Sequence, residues 1–243
     1  MSYTKRIDGR KMDETRPIIA KVGIIPNAKG SASFTIGKTT AYAAVYGPRE
    51  LHPKFLQDPK TGKLRCNYNM MPFSGSGERI RPGPSRRSKE ISMVTQNALA
   101  SVMDLSDYPN TVVDVFIEIP QADAGTRCAG ICAASMALAD AGFKMKDMPV
   151  AIAIGVADNK TVFADPDYAE ETLNQSGHAE HVADIAMTLL PRAGKITHLQ
   201  MDGMVSKEKL FEAVEIAKKV VKKINDIMRT ALKEQFNNVE ASK

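Results

Sequence analysis

Apolar positions in the first fifty residues come in short alternating or β-branched runs divided by turn-forming residues, the pattern of β structure. Ile18 to Ile25, Ser31 to Ile36 and Thr39 to Val45 read as strands, separated by Asn27-Ala28-Lys29-Gly30 and Gly37-Lys38 and closed by Gly47-Pro48. A polar loop, His52 to Lys63, precedes a further strand, Leu64 to Phe73. The spacing then changes. Ile91, Val94, Ala98 and Val102 recur at helical intervals over Arg86 to Met103, behind Ser85, a residue type that favours the N-cap. Thr111 to Ile119 alternates again and is β-branched, so it predicts a strand. Gln121 to Arg127 runs from it straight into Cys128 to Ala141, a helix of small residues able to lie close against a sheet.

The second half repeats the theme. Val150 to Val156 and Thr161 to Phe163 predict a hairpin through Asp158-Asn159, and Ala183 to Leu190 with Ile196 to Met201 predict another through Arg192-Ala193-Gly194. Ser206 caps a last helix whose residues Leu210, Val214, Ala217, Val221, Ile224 and Met228 form one apolar stripe. Lys218, Lys219, Lys222 and Lys223 flank that stripe and read as a solvated face. Sheet, helix, sheet, helix implies an α/β (α+β) layered fold. We expect a single domain over residues 1–243, with halves near 1–145 and 146–243.

Composition narrows the class. With 243 residues, 43% hydrophobic and 25% charged, the chain has the proportions of a globular protein with ample core. No apolar run reaches the roughly 18 residues of a membrane span. No apolar stretch follows the basic start Met1 to Arg6, so a cytoplasmic protein with no membrane partner is expected. The cysteines, Cys66, Cys128 and Cys132, are too few and odd in number for a disulfide framework; Cys128 and Cys132 read as buried helix residues rather than zinc ligands.

The net charge of +5 permits a polyanionic partner, and its distribution sharpens the idea. Glu78 to Glu90 holds Arg79, Arg81, Arg86, Arg87 and Lys89 beside Pro-Gly-Pro; this is either a solvated loop or a phosphate reader, since guanidinium grips oxygens in pairs. Gln121 to Arg127 offers a glycine, unpaired helix amides, the Thr126 hydroxyl and the Arg127 cation: a phosphate pocket, or an ordinary capped turn. Asp165-Pro166-Asp167-Tyr168-Ala169-Glu170-Glu171 reads by itself as an exposed acidic loop. Asp184, at the start of an apolar strand, is costly to bury unless paired or useful, for proton transfer or for holding Mg²⁺. His178 and His181 lie in a loop without a helix to orient them as a metal pair.

Taken together, these stretches resemble the RNase PH family, and within it the catalytic RNase PH-like subunit of archaeal exosomes. The resemblance rests on Arg6-Ile7-Asp8-Gly9-Arg10 with Arg16-Pro17, Gly30-Ser31-Ala32, and Ala44-Val45-Tyr46-Gly47-Pro48-Arg49-Glu50. It continues through Met71-Pro72-Phe73, Pro84-Ser85-Arg86-Arg87, Asp114-Val115-Phe116-Ile117-Glu118, Gln121 to Arg127 and Ala139-Asp140-Ala141-Gly142, spanning residues 6 to about 235.

The resemblance implies an RNase PH-type fold of two similar halves and a hexameric ring built with a second RNase PH-like subunit. It implies RNA-binding cap subunits and single-stranded RNA threading to sheltered sites. The activity implied is phosphorolytic 3′-to-5′ exoribonuclease action with inorganic phosphate as co-substrate and Mg²⁺ as cofactor. Gly125, Thr126 and Arg127 would bind phosphate; Arg86, Arg87, Arg65 and Arg49 would contact RNA; His52 to Lys63 would line the chamber entrance. The family carries two catalytic aspartates about six residues apart. Asp184 fits the second, as proton donor or metal ligand. The first falls on Glu171 aligned from the left and on His178 aligned from the right, because the chain carries about seven extra residues between. A non-catalytic ring subunit and a stand-alone homohexameric RNase PH trimming transfer RNA ends are the competing readings.

Overall fold

A computed structural model describes residue 3 and residues 5–174 and 177–241. Its elements in chain order are β1 (Ile18–Val22), β2 (Gly30–Ile36), β3 (Thr39–Glu50), β4 (Lys63–Met70), α1 (Arg86–Ala100), β5 (Thr111–Gln121), α2 (Thr126–Asp140), β6 (Val150–Ala157), β7 (Thr161–Ala164), α3 (Tyr168–Glu171), β8 (Val182–Leu189), β9 (Ile196–Asp202) and α4 (Lys207–Ala241). The strands form a five-stranded sheet, ordered β1-β2-β3-β5-β4, and a four-stranded sheet, ordered β7-β6-β8-β9. All neighbours are antiparallel except β4 and β5, whose parallel pairing uses α1 as part of the crossover. This is the α+β architecture the patterning implies.

α2 lies between the two sheets, touching β2, β3 and β5 on one side and β6 and β8 on the other. Twelve of its fifteen residues are buried. That position explains a helix with no polar face: its surroundings are apolar all round. It also explains the small residues. A β-carbon at Gly30 would stand 2.3 Å from the Ala141 backbone nitrogen and 2.5 Å from the Ala137 oxygen, so β2 reaches the end of α2 only without a side chain. The core is continuous across both sheets through α2. α4 covers β1, β6 and β7. Among the described residues no helix is long and apolar enough to cross a membrane.

Ser85 caps α1 as expected, in a reciprocal pair with Ser88, and both hairpins of the second sheet form where the turns were read. β4 stops at Met70 and α1 at Ala100, each three residues short of the expected end, and three further expectations change. β1 stops at Val22 instead of Ile25. β3 passes through Gly47-Pro48 to Glu50, because the register with β5 shifts between Tyr46 and Arg49; the irregularity takes up Gly47 (φ +105°) and a proline with no amide to pair. The third change is the acidic segment, which is no exposed loop. Asp165 and Glu170 are 2% and 0% exposed.

Their partners come from the N-terminal segment, about 150 residues away. Arg6 donates to Glu170 through Nε at 2.8 Å and through a terminal nitrogen at 2.5 Å, Tyr3 donates to the same carboxylate at 2.7 Å, and Arg10 lies 3.3 Å from it. Arg16 grips both oxygens of Asp165. Glu170 and Asp167 form a capping box, so the pairing also sets the start of α3.

Arg6→Met should therefore destabilise the fold by about 3 kcal/mol, the cost of leaving one partner of a buried pair with incomplete compensation, read as a lowered denaturant midpoint. Burial alone would raise the Glu170 carboxyl, but the Arg6 and Tyr3 bonds outweigh it and hold it below the ordinary range. Its contribution is complete above the unfolded carboxylate value and is lost as pH falls through the lower folded value. The gap between variant and parent should accordingly narrow in acid, and a gap that widens there would contradict this account.

Candidate active site

Two walls face each other across a cleft of about 750 Å³. The first wall is the junction of β5 and α2. Ala124 and Gly125 both adopt left-handed backbone (φ 62° and 65°), and Gly125 is an N-cap with no side-chain cap bond. The first amides of a fifteen-residue helix are thus unclaimed by any side chain and carry the positive end of its dipole. Thr126 accepts a hydrogen bond from the Tyr68 hydroxyl at 2.9 Å, which leaves its own hydroxyl proton to donate. Arg127 follows. Its Nε is buried without a hydrogen-bond partner among the described residues, and its nearest carboxylate is Glu90, at 3.7 Å. Arg87, from the first turn of α1, lines the same cleft.

The second wall is acidic. Asp184 lies in β8, paired in register with Asp202 of β9 and Gly155 of β6. Its Oδ1 is buried with no partner among the described residues. Burial raises its pKa and the Asp202 charge adds to that, while Arg127 and Arg87 oppose. α3 delivers Glu171. Burial, then the Asp184 charge, push its carboxyl up to about 7, against the lowering effect of the Gly125 amide, Arg16 and Arg87. A carboxyl poised near neutrality beside a second carboxylate and opposite an anion pocket is an arrangement suited to proton transfer onto a departing oxygen.

Of the residues singled out from the sequence, the cleft brings together Arg87, Gly125, Thr126, Arg127, Glu171 and Asp184. Arg86 is exposed and does not line it. Arg49 and Arg65 are outside it too: both pair with the fully buried Asp114 carboxylate, each through a terminal nitrogen at 3.0 Å, and more than half of each side chain is exposed. His178 is exposed, its amide bonded to the Leu173 carbonyl, and is not part of the cleft; the left-hand alignment, Glu171, is the one the fold places opposite the anion pocket. Among the described residues no cluster of three His, Cys, Asp or Glu has metal-binding geometry.

The sequence reading missed Asp202, Gln200 and the supports behind Arg127. Gln200 donates to Glu90 at 2.8 Å, and burial, then Arg127, lower the pKa of neighbouring His198. The one signal for Asp202 was its place before Gly203 at the end of an alternating strand. Glu90 was hidden inside a stretch read for its arginines.

Comparison with known proteins places this geometry. Residues 14–144 match the 3′ exoribonuclease family, domain 1, and residues 147–220 match domain 2 of that family. The chain is 50% identical over 232 residues to exosome complex component Rrp41 of Thermococcus kodakarensis, covering 96% of this chain and 90% of that one. It is 48% identical over 231 residues to the Methanopyrus kandleri protein of the same name, covering 95% and 93%. Among solved structures, rice Rrp46 superposes with a TM-score of 0.79 at 26% identity, over 93% of this chain and 100% of that one. The Archaeoglobus fulgidus exosome with RNA bound to the active site gives a TM-score of 0.76 at 22% identity, a likeness of fold, over 92% of each chain.

One carboxyl should titrate near pH 7 in the metal-free chain. Carboxyl-carbon NMR should show that titration lost in Glu171→Gln and displaced downward in Asp184→Asn, since the Asp184 charge helps to raise it. No displacement in Asp184→Asn would mean the two carboxyls do not interact.

Proposed function

The chain belongs to the RNase PH family of 3′ exoribonucleases, and on that premise we propose that it is the phosphorolytic, 3′-to-5′ exoribonuclease subunit of an exosome-type ring. The observation that carries the proposal is the single cleft in which Gly125, Thr126 and Arg127 face Glu171 and Asp184. An anion pocket without a proton donor would only bind; a carboxyl pair without an anion pocket would have no nucleophile to place.

The reaction is attack by an orthophosphate oxygen on the phosphorus of the terminal 3′–5′ linkage. The bond to the 3′ oxygen of the preceding nucleotide breaks, that oxygen takes a proton, and a nucleoside diphosphate leaves. The α2 amides, the Thr126 hydroxyl and Arg127 hold the attacking phosphate. Arg87 lies where it would neutralise the scissile phosphate, with Arg86, Arg65 and Arg49 as backbone contacts further along single-stranded RNA. These arginines supply binding without base selection. Glu171, near neutral pKa, is suited to protonate the departing oxygen. Most of the acceleration would come from placing two anions together and compensating their charge.

Mg²⁺ fits this site. Asp184 presents a buried oxygen with no partner among the described residues, and Mg²⁺ is commonly held by one or two carboxylates plus substrate phosphate oxygens, which leaves Glu171 free to act as the acid. The ion would supply charge compensation for the reacting phosphates. We further propose a second RNase PH-like subunit as ring partner, RNA-binding cap subunits, and a cytoplasmic location; the three free, buried cysteines are in keeping with a reducing compartment. The Glu171 carboxyl in the cleft supports a catalytic subunit over a purely structural one.

The assembled protein should shorten oligo-RNA from its 3′ end only with phosphate present, releasing nucleoside diphosphates. Monophosphate products formed equally without phosphate would defeat the proposal. Asp184→Asn keeps size and hydrogen-bonding capacity but removes the charge. It should bind RNA normally yet turn over about 100-fold or more slowly, the scale of an acid–base contribution, because the charge that helps keep the Glu171 carboxyl near neutrality is gone. Full activity in that variant would remove Asp184 from the chemistry.

A further inference from the structure

The anion loop holds a conformation that its own residues do not favour. Ala124 is left-handed (φ 62°) without being glycine, which costs energy and persists only where the surroundings impose it. Two side chains impose it, and neither lines the cleft. Thr39, fully buried at the start of β3, donates to the Ala124 carbonyl at 2.7 Å and accepts from the Asp123 amide at 2.9 Å. Arg16, 6% exposed at its side chain, donates one terminal nitrogen to the Asp123 carbonyl. It places its other terminal nitrogen 2.7 Å from Asp165 Oδ1 and its Nε 2.9 Å from Oδ2, while its backbone amide also donates to Oδ2 at 2.8 Å. A β-carbon built on Gly125 would meet the Arg16 terminal nitrogen at 3.4 Å, so the guanidinium lies against the N-cap residue itself. Asp165 belongs to the wall that leads to Glu171.

Resting on the phosphorolytic reading above, we propose that Arg16 and Thr39 are positioning residues for the attacking phosphate. They clamp the left-handed loop so that the first amides of α2 point into the cleft, and Arg16 ties that loop to the acidic wall. Neither touches substrate. Their effect is on where the phosphate sits relative to the scissile linkage, an error to which such reactions are steeply sensitive. RNA held through α1 is independent of this clamp.

The test uses the full chain in its assembled ring, with inorganic phosphate as the probe. Thr39→Val is nearly isosteric and removes both loop bonds. Arg16→Lys keeps the charge but cannot grip Asp123 and Asp165 in a fixed fork; Arg16→Met removes both grips. Phosphate binding is titrated calorimetrically without RNA, and KM is measured separately for phosphate and for RNA. The expected result is a rise in phosphate KM on the order of 10- to 100-fold in Thr39→Val, a matching loss in the calorimetric titration, and an unchanged RNA KM. Arg16→Lys should recover part of what Arg16→Met loses. If Arg16→Met fails to fold, Thr39→Val and Arg16→Lys still decide. Folded variants that bind phosphate as the parent does, with only a lowered melting temperature, would overturn the proposal and leave a structural role. A parent that neither binds phosphate nor needs it for turnover would instead overturn the phosphorolytic reading, and the positioning role with it.

Discussion

The pairing of Arg6, Arg10 and Arg16 with Asp165 and Glu170 is the constraint on which the acidic wall depends. Each ion loses water on folding at a cost of several kcal/mol, recovered only if geometry and hydrogen bonding are nearly complete. Here they are. The Arg6 guanidinium bonds the Glu170 carboxylate and the carbonyls of Glu14, Ala164 and Asp165. Asp165 itself is left-handed (φ 51°), a conformation that the Arg16 backbone and side chain pin together. Glu171 is the next residue after Glu170, so its place in the cleft follows from an ionic contact made one residue earlier. An N-terminal segment with no helix or strand among its described residues thereby sets where α3 presents Glu171.

The cleft sorts charge by sign and by element. Cations and amides come from helices whose N-termini face inward: Arg87 from α1, Thr126 and Arg127 from α2. Carboxyls come from β8, β9 and α3. If the two sets paired directly, neither would be available to a substrate. Among the described residues no ion pair joins Arg87 or Arg127 to Asp184, Glu171 or Asp202, and only the Gly125 amide reaches across to Glu171. Among the described residues Arg127 Nε and Asp184 Oδ1 have no partner, both buried, which is a cost accepted where a ligand can satisfy them. Burial is the foremost influence on both carboxyls and raises both; at Asp184 the Arg127 charge is the foremost opposition, and at Glu171 the Asp184 charge adds to burial.

Local rules made much of this legible in the chain. The cap at Ser85, both hairpins of the second sheet and the small-residue helix α2 depend on neighbours within a few residues, and the reading found them. The anion pocket was legible for the same reason, since glycine, threonine and arginine at a helix start act locally. What was not legible depends on distant partners. Nothing near Asp165 or Glu170 announces Arg16 or Arg6, so the segment looked exposed. The pairing of Arg49 and Arg65 with Asp114 was not legible either, because Asp114 lies on a neighbouring strand. The choice between Glu171 and His178 turned on how an insertion folds, which spacing alone does not decide. Asp202 enters only through its register with Asp184.

The last step concerns why the cleft lies where it does. α2 is enclosed by both sheets, so its residues cannot shift without disturbing two packed layers, and close-packed interiors resist such shifts. Its N-terminus is therefore a fixed point within the core, and the loop before it opens to the cleft together with Thr126 and Arg127. Loops at such positions are ordinarily mobile. This one is tied to β3 through Thr39 and to the acidic wall through Arg16. Asp184 is equally fixed, inside a strand flanked by β6 and β9. Glu171 alone sits on a four-residue helix, with the chain's extra residues directly after it. The anion pocket and Asp184 are thus held by packed elements, whereas Glu171 ends the shortest α-helix.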